Sequence, residues 1–190
     1  MTVTISRLYD RYEDAERAVR DLEAAGISHG DISIVANNAD GRYGKGNNAA
    51  TGAGIGAVVV GAAGLLAGLG LLAIPGIGPV VAAGWLVSTG AGAVAGAAAS
   101  GIVGALTSAG VSKEDAHVYA EGVRRGGTLV SARVPDTERS RYEQILNRSS
   151  VNIAERGASY RQAGWTGFSD DAPAYKPDPA RSSEANTTLR

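Results

Sequence analysis

Ile74-Pro-Gly-Ile-Gly-Pro79 divides a run, residues 46–112, that holds no ionisable side chain. Two prolines flanking two glycines cannot continue a helix, and they favour a tight reversal. Read outward from Pro75, Gly76, Gly78 and Pro79, the run predicts two helices, over about 51–74 and 80–110, folded into a hairpin. Gly84, Ser88, Gly92, Gly96, Ser100, Gly104 and Ser108 recur at every fourth position of the second segment. Gly52, Gly56, Gly64 and Gly68 make a similar row on the first, with Val60 filling the gap. Residues four apart share one helix face. Such rows of small residues let two helix backbones approach closely, gaining packing and weak Cα–H···O contacts.

On the N-terminal side, Val3 and Ile5 alternate with polar residues and predict a strand at about 2–8. Asp10 with Glu13 has the spacing of a capping box. Ala15, Ala18, Val19 and Leu22 then follow one helix face, and Gly26 stands where a left-handed cap belongs. Asp31 to Asn37 reads as a second strand, completing a βαβ unit; the Gly-rich polar stretch 37–48 reads as a loop.

On the C-terminal side, charge returns at Lys113. Ser112 with Asp115 is a second capping signature, and Ala116, Tyr119, Ala120 and Val123 repeat the helical face up to Gly126-Gly127. A strand at 128–134, a helix at 137–148 facing inward with Tyr142, Ile145 and Leu146, and a short strand at Val151 and Ile153 follow. The expected fold is α+β: a ferredoxin-like βαββαβ domain interrupted by a long Gly/Ala-rich helical hairpin. Its parts are residues 1–45 and 113–157 for the two halves of the domain, 46–112 for the hairpin, and 158–190 for a mostly disordered tail. Within that tail Gly164-Trp-Thr-Gly-Phe168 carries two aromatic residues that can dock on the domain or on a partner.

Composition narrows the function. The formal net charge is −1 over 190 residues, so no basic field is available for nucleic acid. Cysteine is absent, which removes disulfide and thiolate chemistry. The start, Met1-Thr-Val-Thr-Ile-Ser-Arg, lacks the basic and then apolar pattern of a signal peptide. Gly68-Leu-Gly-Leu-Leu-Ala73 matches a dinucleotide fingerprint in form but lies inside an apolar segment, without the strand and helix that the motif needs. His29 and His117 have no ligand cluster around them, and Glu13, Asp14 and Glu16 suit a helix's first turn better than a paired-carboxylate site. Arg124 and Arg125 suit a helix C-terminus; a phosphate or lipid-headgroup contact by them and Lys113 is the sharper alternative. The expectation is a chain with no catalytic residues, no cofactor and no metal.

Asp10 to Gly26, Asp31-Ile-Ser-Ile-Val35, Leu72 to Gly84 and Glu121-Gly-Val-Arg-Arg-Gly-Gly127 together resemble a bacterial general-stress-protein family, described as heat-induced, low-temperature-induced or 17M-like. The resemblance covers roughly residues 1–157, and the tail segment at 164–168 is similar to endings in such proteins. It implies a role in the bacterial stress response. It implies no reaction and no site residues.

Two environments suit the uncharged hairpin. A helix over 51–74 would span roughly 36 Å at 1.5 Å per residue, against a hydrocarbon core of about 30 Å. Its large apolar residues offer roughly −3 to −6 kcal/mol for insertion, partly offset by glycine. Arg42 and Lys45 before it and Lys113, Arg124 and Arg125 after it would hold both ends in the cytosol. The primary expectation is a non-catalytic stress protein at the cytoplasmic membrane, tethered to a lipid bilayer, self-associating as a homo-oligomer and presenting its domain to a cytosolic partner. The alternative is an oligomeric binding or assembly module in the cytoplasm, with the hairpins packed inside the oligomer.

Overall fold

The computed structural model describes residues 1–39, 70–74, 76–86, 101–172 and 175, with only the backbone of 70–72. Five strands form one sheet in the order β1-β5-β2-β4-β3, every neighbouring pair antiparallel. The strands are β1 (Thr2–Tyr9), β2 (Ile32–Asn37), β3 (Gly70–Ile74), β4 (Gly78–Gly84) and β5 (Thr128–Pro135). Among the described residues there are five α-helices: α1 (Tyr12–Ala24), α2 (Gly101–Ser108), α3 (Lys113–Arg124), α4 (Arg139–Asn147) and α5 (Ile153–Gln162).

The β1-α1-β2 unit leaves a slot one strand wide, and β5 fills it antiparallel to both neighbours. Side chains alternate across the sheet. Ile5, Ile32, Ile34, Val130, Ala132 and Val134 face one way, onto Ala15, Val19 and Leu22 of α1 and Tyr142 and Leu146 of α4. Leu8, Val35, Val80, Ala82 and Leu129 face the other way, onto Leu106 of α2 and Ala116, Tyr119, Ala120 and Val123 of α3. α5 lies over α3, where Gly157 meets Val118 so closely that an added Cβ would stand 3.0 Å from its Cγ2. The sheet is thus covered on both faces, which is why its central strands read as nearly continuous apolar runs.

Residues 70–84 depart from the helical expectation. The reversal at Gly76 and Ile77 is present, but it joins β3 to β4 rather than two helices, and β4 pairs with β2 along Ser33–Asn37. Val80 and Ala82 enter the second core while Ala83 enters the first, so this uncharged stretch is apolar on both faces because the strand is buried on both faces. Periodicity cannot separate such a strand from a buried helix; the β-branched residues Ile74, Ile77, Val80 and Val81 between glycines favour the strand. Of the two predicted helices, residues 51–69 and 87–100 lie outside the described residues, and so do Gly52, Gly56, Gly64, Gly68, Pro75, Ser88, Gly92, Gly96 and Ser100. Gly84 belongs to β4, not to a helix. Gly104 and Ser108 do lie on a helix, α2, but it buries Ile102, Ala105 and Leu106, leaving Gly104 half-buried and Ser108 exposed.

Two smaller expectations also change. Asp10 does not cap α1; its carboxylate takes Arg156 of α5 at 2.7 Å, and the helix begins at Tyr12 without a side-chain cap. Ile153 starts α5 rather than a last strand, because Asn152 caps that helix through Ala154 N and Glu155 N. What remains of the strand is a single bond, Val151 N to Leu8 O at 2.8 Å, on the outer edge of β1. The same edge is blunted where Ser6 O accepts from Tyr119 Oη at 2.7 Å and Arg7 Nη1 at 2.8 Å. Side chains occupying edge carbonyls discourage strand addition there.

Buried phenols tie the layers together. Tyr9 Oη donates to Leu146 O at 2.7 Å, joining β1 to α4. Burial pushes the Tyr9, Tyr119 and Tyr160 hydroxyls above their ordinary value of 10.0. The folded chain therefore holds protons that the unfolded chain releases from about pH 10 upward, so the stability they contribute is intact below pH 10 and is lost as pH rises above it. Denaturant midpoints at pH 8 and pH 11 are expected to differ by more in the natural chain than in Tyr9→Phe. Tyrosinate absorbance of the buried phenols is expected to appear only as the protein unfolds.

Candidate functional site

The C-terminal turn of α3 and the tail that crosses it hold the densest polar chemistry among the described residues. Glu121 is 1% exposed in the last turn of a helix, where both burial and the helix dipole disfavour a carboxylate. Two arginines answer it at helical spacing: Arg124 Nη1 lies 3.1 Å from both carboxylate oxygens, and Arg125 Nε lies 2.6 Å from Oε1. Arg125 also stacks over the Tyr160 ring at 4.3 Å, and both arginines face Tyr175, at 5.8 and 5.4 Å. Asn37 of β2 donates to Arg124 O at 3.2 Å, so the cluster joins sheet, helix and tail.

The glycines of Glu121-Gly-Val-Arg-Arg-Gly-Gly127 have distinct tasks. At Gly122 a Cβ would run into the Leu8 side chain, so α3 packs closely on β1 there. Gly126 takes φ +104°, and Gly127 N returns to Gly122 O at 2.9 Å, closing the helix in a left-handed cap.

Beyond α5 the aromatic tail docks on its own domain. Trp165 N bonds Tyr160 O at 3.0 Å, and the two rings meet edge to face at 5.8 Å. Phe168 is buried in the second core, and its amide donates to His117 Nδ1 at 3.2 Å. At Gly76, with φ +72°, a Cβ would collide with Ser169 O and stand 2.9 Å from Asp170 Cα, so the tail lies backbone to backbone on the β3–β4 turn. Burying Phe168 is worth about 1.5–3 kcal/mol, and the His117 bond about 1 kcal/mol more. His117 thus acts as an acceptor holding the tail. His29 instead pairs with Glu23 at 2.8 Å, where burial raises the Glu23 carboxyl against the opposing pull of His29 and Arg20.

The Glu121 carboxylate is saturated by guanidinium. Ser6, Ser131 and Ser33 lie side by side across the sheet and are buried, with Ser6 Oγ 2.8 Å from Ser131 Oγ and Ser33 Oγ donating to Ala83 O. Their hydroxyls thus engage one another and a backbone carbonyl, whereas a nucleophile requires a histidine or carboxylate beside it. Among the described residues no three His, Asp or Glu side chains gather to hold a metal, and no helix is long and apolar enough to cross a membrane. The acidic residues 13, 14 and 16 are divided along α1, with Asp14 on Arg11 and Arg17 and Glu16 on Arg20. Arg124 and Arg125 stand at the C-terminus of α3 as expected, and their guanidinium groups turn to Glu121. The spacing of Glu121 to both arginines was the signal for this cluster, but burial of the carboxylate had no signature in sequence.

No described protein family matches the chain, and neither a curated protein nor a solved structure is similar to it. The stress-protein resemblance therefore rests on the motif residues quoted above.

Proposed function

We propose that the chain is a non-catalytic assembly module of the bacterial general stress response, associating with further copies of itself through its uncharged Gly/Ala-rich segments. The observation that carries this reading is the seating of β3 and β4 in the sheet. A bilayer-crossing hairpin closed at residues 75–79 would have to strip β4 from β2 and remove Val80 and Ala82 from the core. The described surface offers no alternative docking patch, since Met1 is its one exposed large hydrophobic residue. Self-association then falls to the small-residue rows around Gly52–Gly68 and Ser88–Ser100. We read the domain as a ferredoxin-like frame whose fourth strand is reduced to the Val151 bond. Such frames commonly serve binding and assembly, an inference by analogy of fold.

The second reading, membrane association in the cytosolic-ends orientation, is favoured by the absence of charge across residues 46–69. It now requires those residues to engage lipid without the 75–79 turn. Sedimentation velocity without detergent, paired with liposome flotation, separates the two. A discrete oligomer that Gly56→Leu or Gly92→Leu dissociates, with no flotation, is expected. A monomer, or a chain that floats with liposomes and needs detergent to stay dispersed, overturns the assembly reading.

A further inference from the structure

The tail from Gly164 to Ala172 has no helix or strand of its own. Around Phe168, residues 164, 166, 167 and 169 are exposed, and Gly164 and Gly167 have φ +86° and +157°. Trp165 anchors its root, packed against the second core and bonded to Tyr160 O; beyond it the hold on the domain is one buried ring, one amide bond to His117, and the backbone contact at Gly76. Segments with few buried contacts open far more often than the core they cover. What this segment covers is the turn of the outermost hairpin, where Ile77 is 1% exposed and β3 has β4 as its partner among the described residues.

We propose that residues 164–172 form a releasable strap that controls opening of the β3–β4 hairpin. With the strap down, Phe168 closes the second core over Ile77, and the Gly76 turn has backbone on it. With the strap up, Ile77 and the turn lose their cover, and the hairpin's pairing to the rest of the sheet is that of β4 with β2. The backbone pairings of β1 with β5 and of β5 with β2 are made on the other side of the sheet from the hairpin and are kept. This device is independent of whether copies assemble.

Native-state hydrogen exchange on the full chain tests it. In the unaltered protein the Phe168 amide is expected to exchange at least as fast as Ile77 and Val80–Ala83, and these faster than Val130. In Phe168→Ala the hairpin amides are expected to exchange at least tenfold faster with Val130 unchanged. Adding a peptide of the sequence 160–172 is expected to restore protection. An unaltered chain in which Ile77 exchanges faster than Phe168 overturns the proposal without any substitution. Exchange in Phe168→Ala that is unchanged, or raised equally at Val130, overturns it as well.

Discussion

Gly84→Val is expected to be among the most damaging single substitutions in the described domain, at about 4 kcal/mol. Gly84 ends β4 at φ +92°, opposite Ser33, and a Cβ there would collide with Ile32 O and stand 2.7 Å from Ser33 Cα. Two costs combine. A β-branched residue at positive φ is strained by about 1–3 kcal/mol, and forcing atoms into filled space adds about 1–3 kcal/mol more. The obstacle is the backbone of a central strand, so it cannot swing aside as a side chain would. Gly26→Ala supplies the control. It has φ +100° with nothing within 4 Å of the added carbon, so it carries the strain without the collision. Its expected loss is about 1 kcal/mol. Urea unfolding of the two variants checks the difference, and equal losses would show that the β4–β2 approach matters little.

Glu121→Ala is expected to cost about 3 kcal/mol, because removing one partner of a buried pair strands the other charges. Arg124 and Arg125 would keep their positions beneath Tyr175 and against Tyr160 with no carboxylate between them. Length alone does not decide the magnitude. Arg148 Nη1 lies 3.0 Å from Asp21, nearly the same separation, but the two side chains are 69% and 47% exposed. Asp21→Ala should therefore cost only about 0–1 kcal/mol. The Glu121 effect should also persist in high salt, since a buried pair is screened weakly. A midpoint for Glu121→Ala matching that of Asp21→Ala would show that the cluster is solvated and not a tie between α3 and the tail.

Much of the described domain was legible from local pattern. Ala15, Ala18, Val19 and Leu22 are the buried face of α1, and Gly26 terminates it with φ +100°. Ser112 caps α3 through Asp115 N at 3.1 Å, and Ala116, Tyr119, Ala120 and Val123 face the core. These features need only one element and its spacing. Residues 70–84 misled because a strand covered on both sides loses the alternation that marks strands, and absence of charge is shared by buried strands and membrane helices. The tail was half legible: Trp165 and Phe168 announced a docking segment, but its seat is built from Gly76, Ile77 and His117, which lie far off in sequence and meet only in the fold. Glu121 shows the same limit, since exposure of a carboxylate depends on what α5 and the tail bring over it.

The placement of β5 carries a consequence for biosynthesis. β1 leaves the ribosome ahead of the other described strands, yet its partner in the sheet is β5, which begins at Thr128. At about 5–20 residues per second, the nascent chain waits on the order of ten seconds with that strand unmated. During the same interval the entire uncharged stretch emerges ahead of the segment that completes the sheet. Translation speed and chaperone supply thus bear on the yield of this protein more heavily than its modest size suggests.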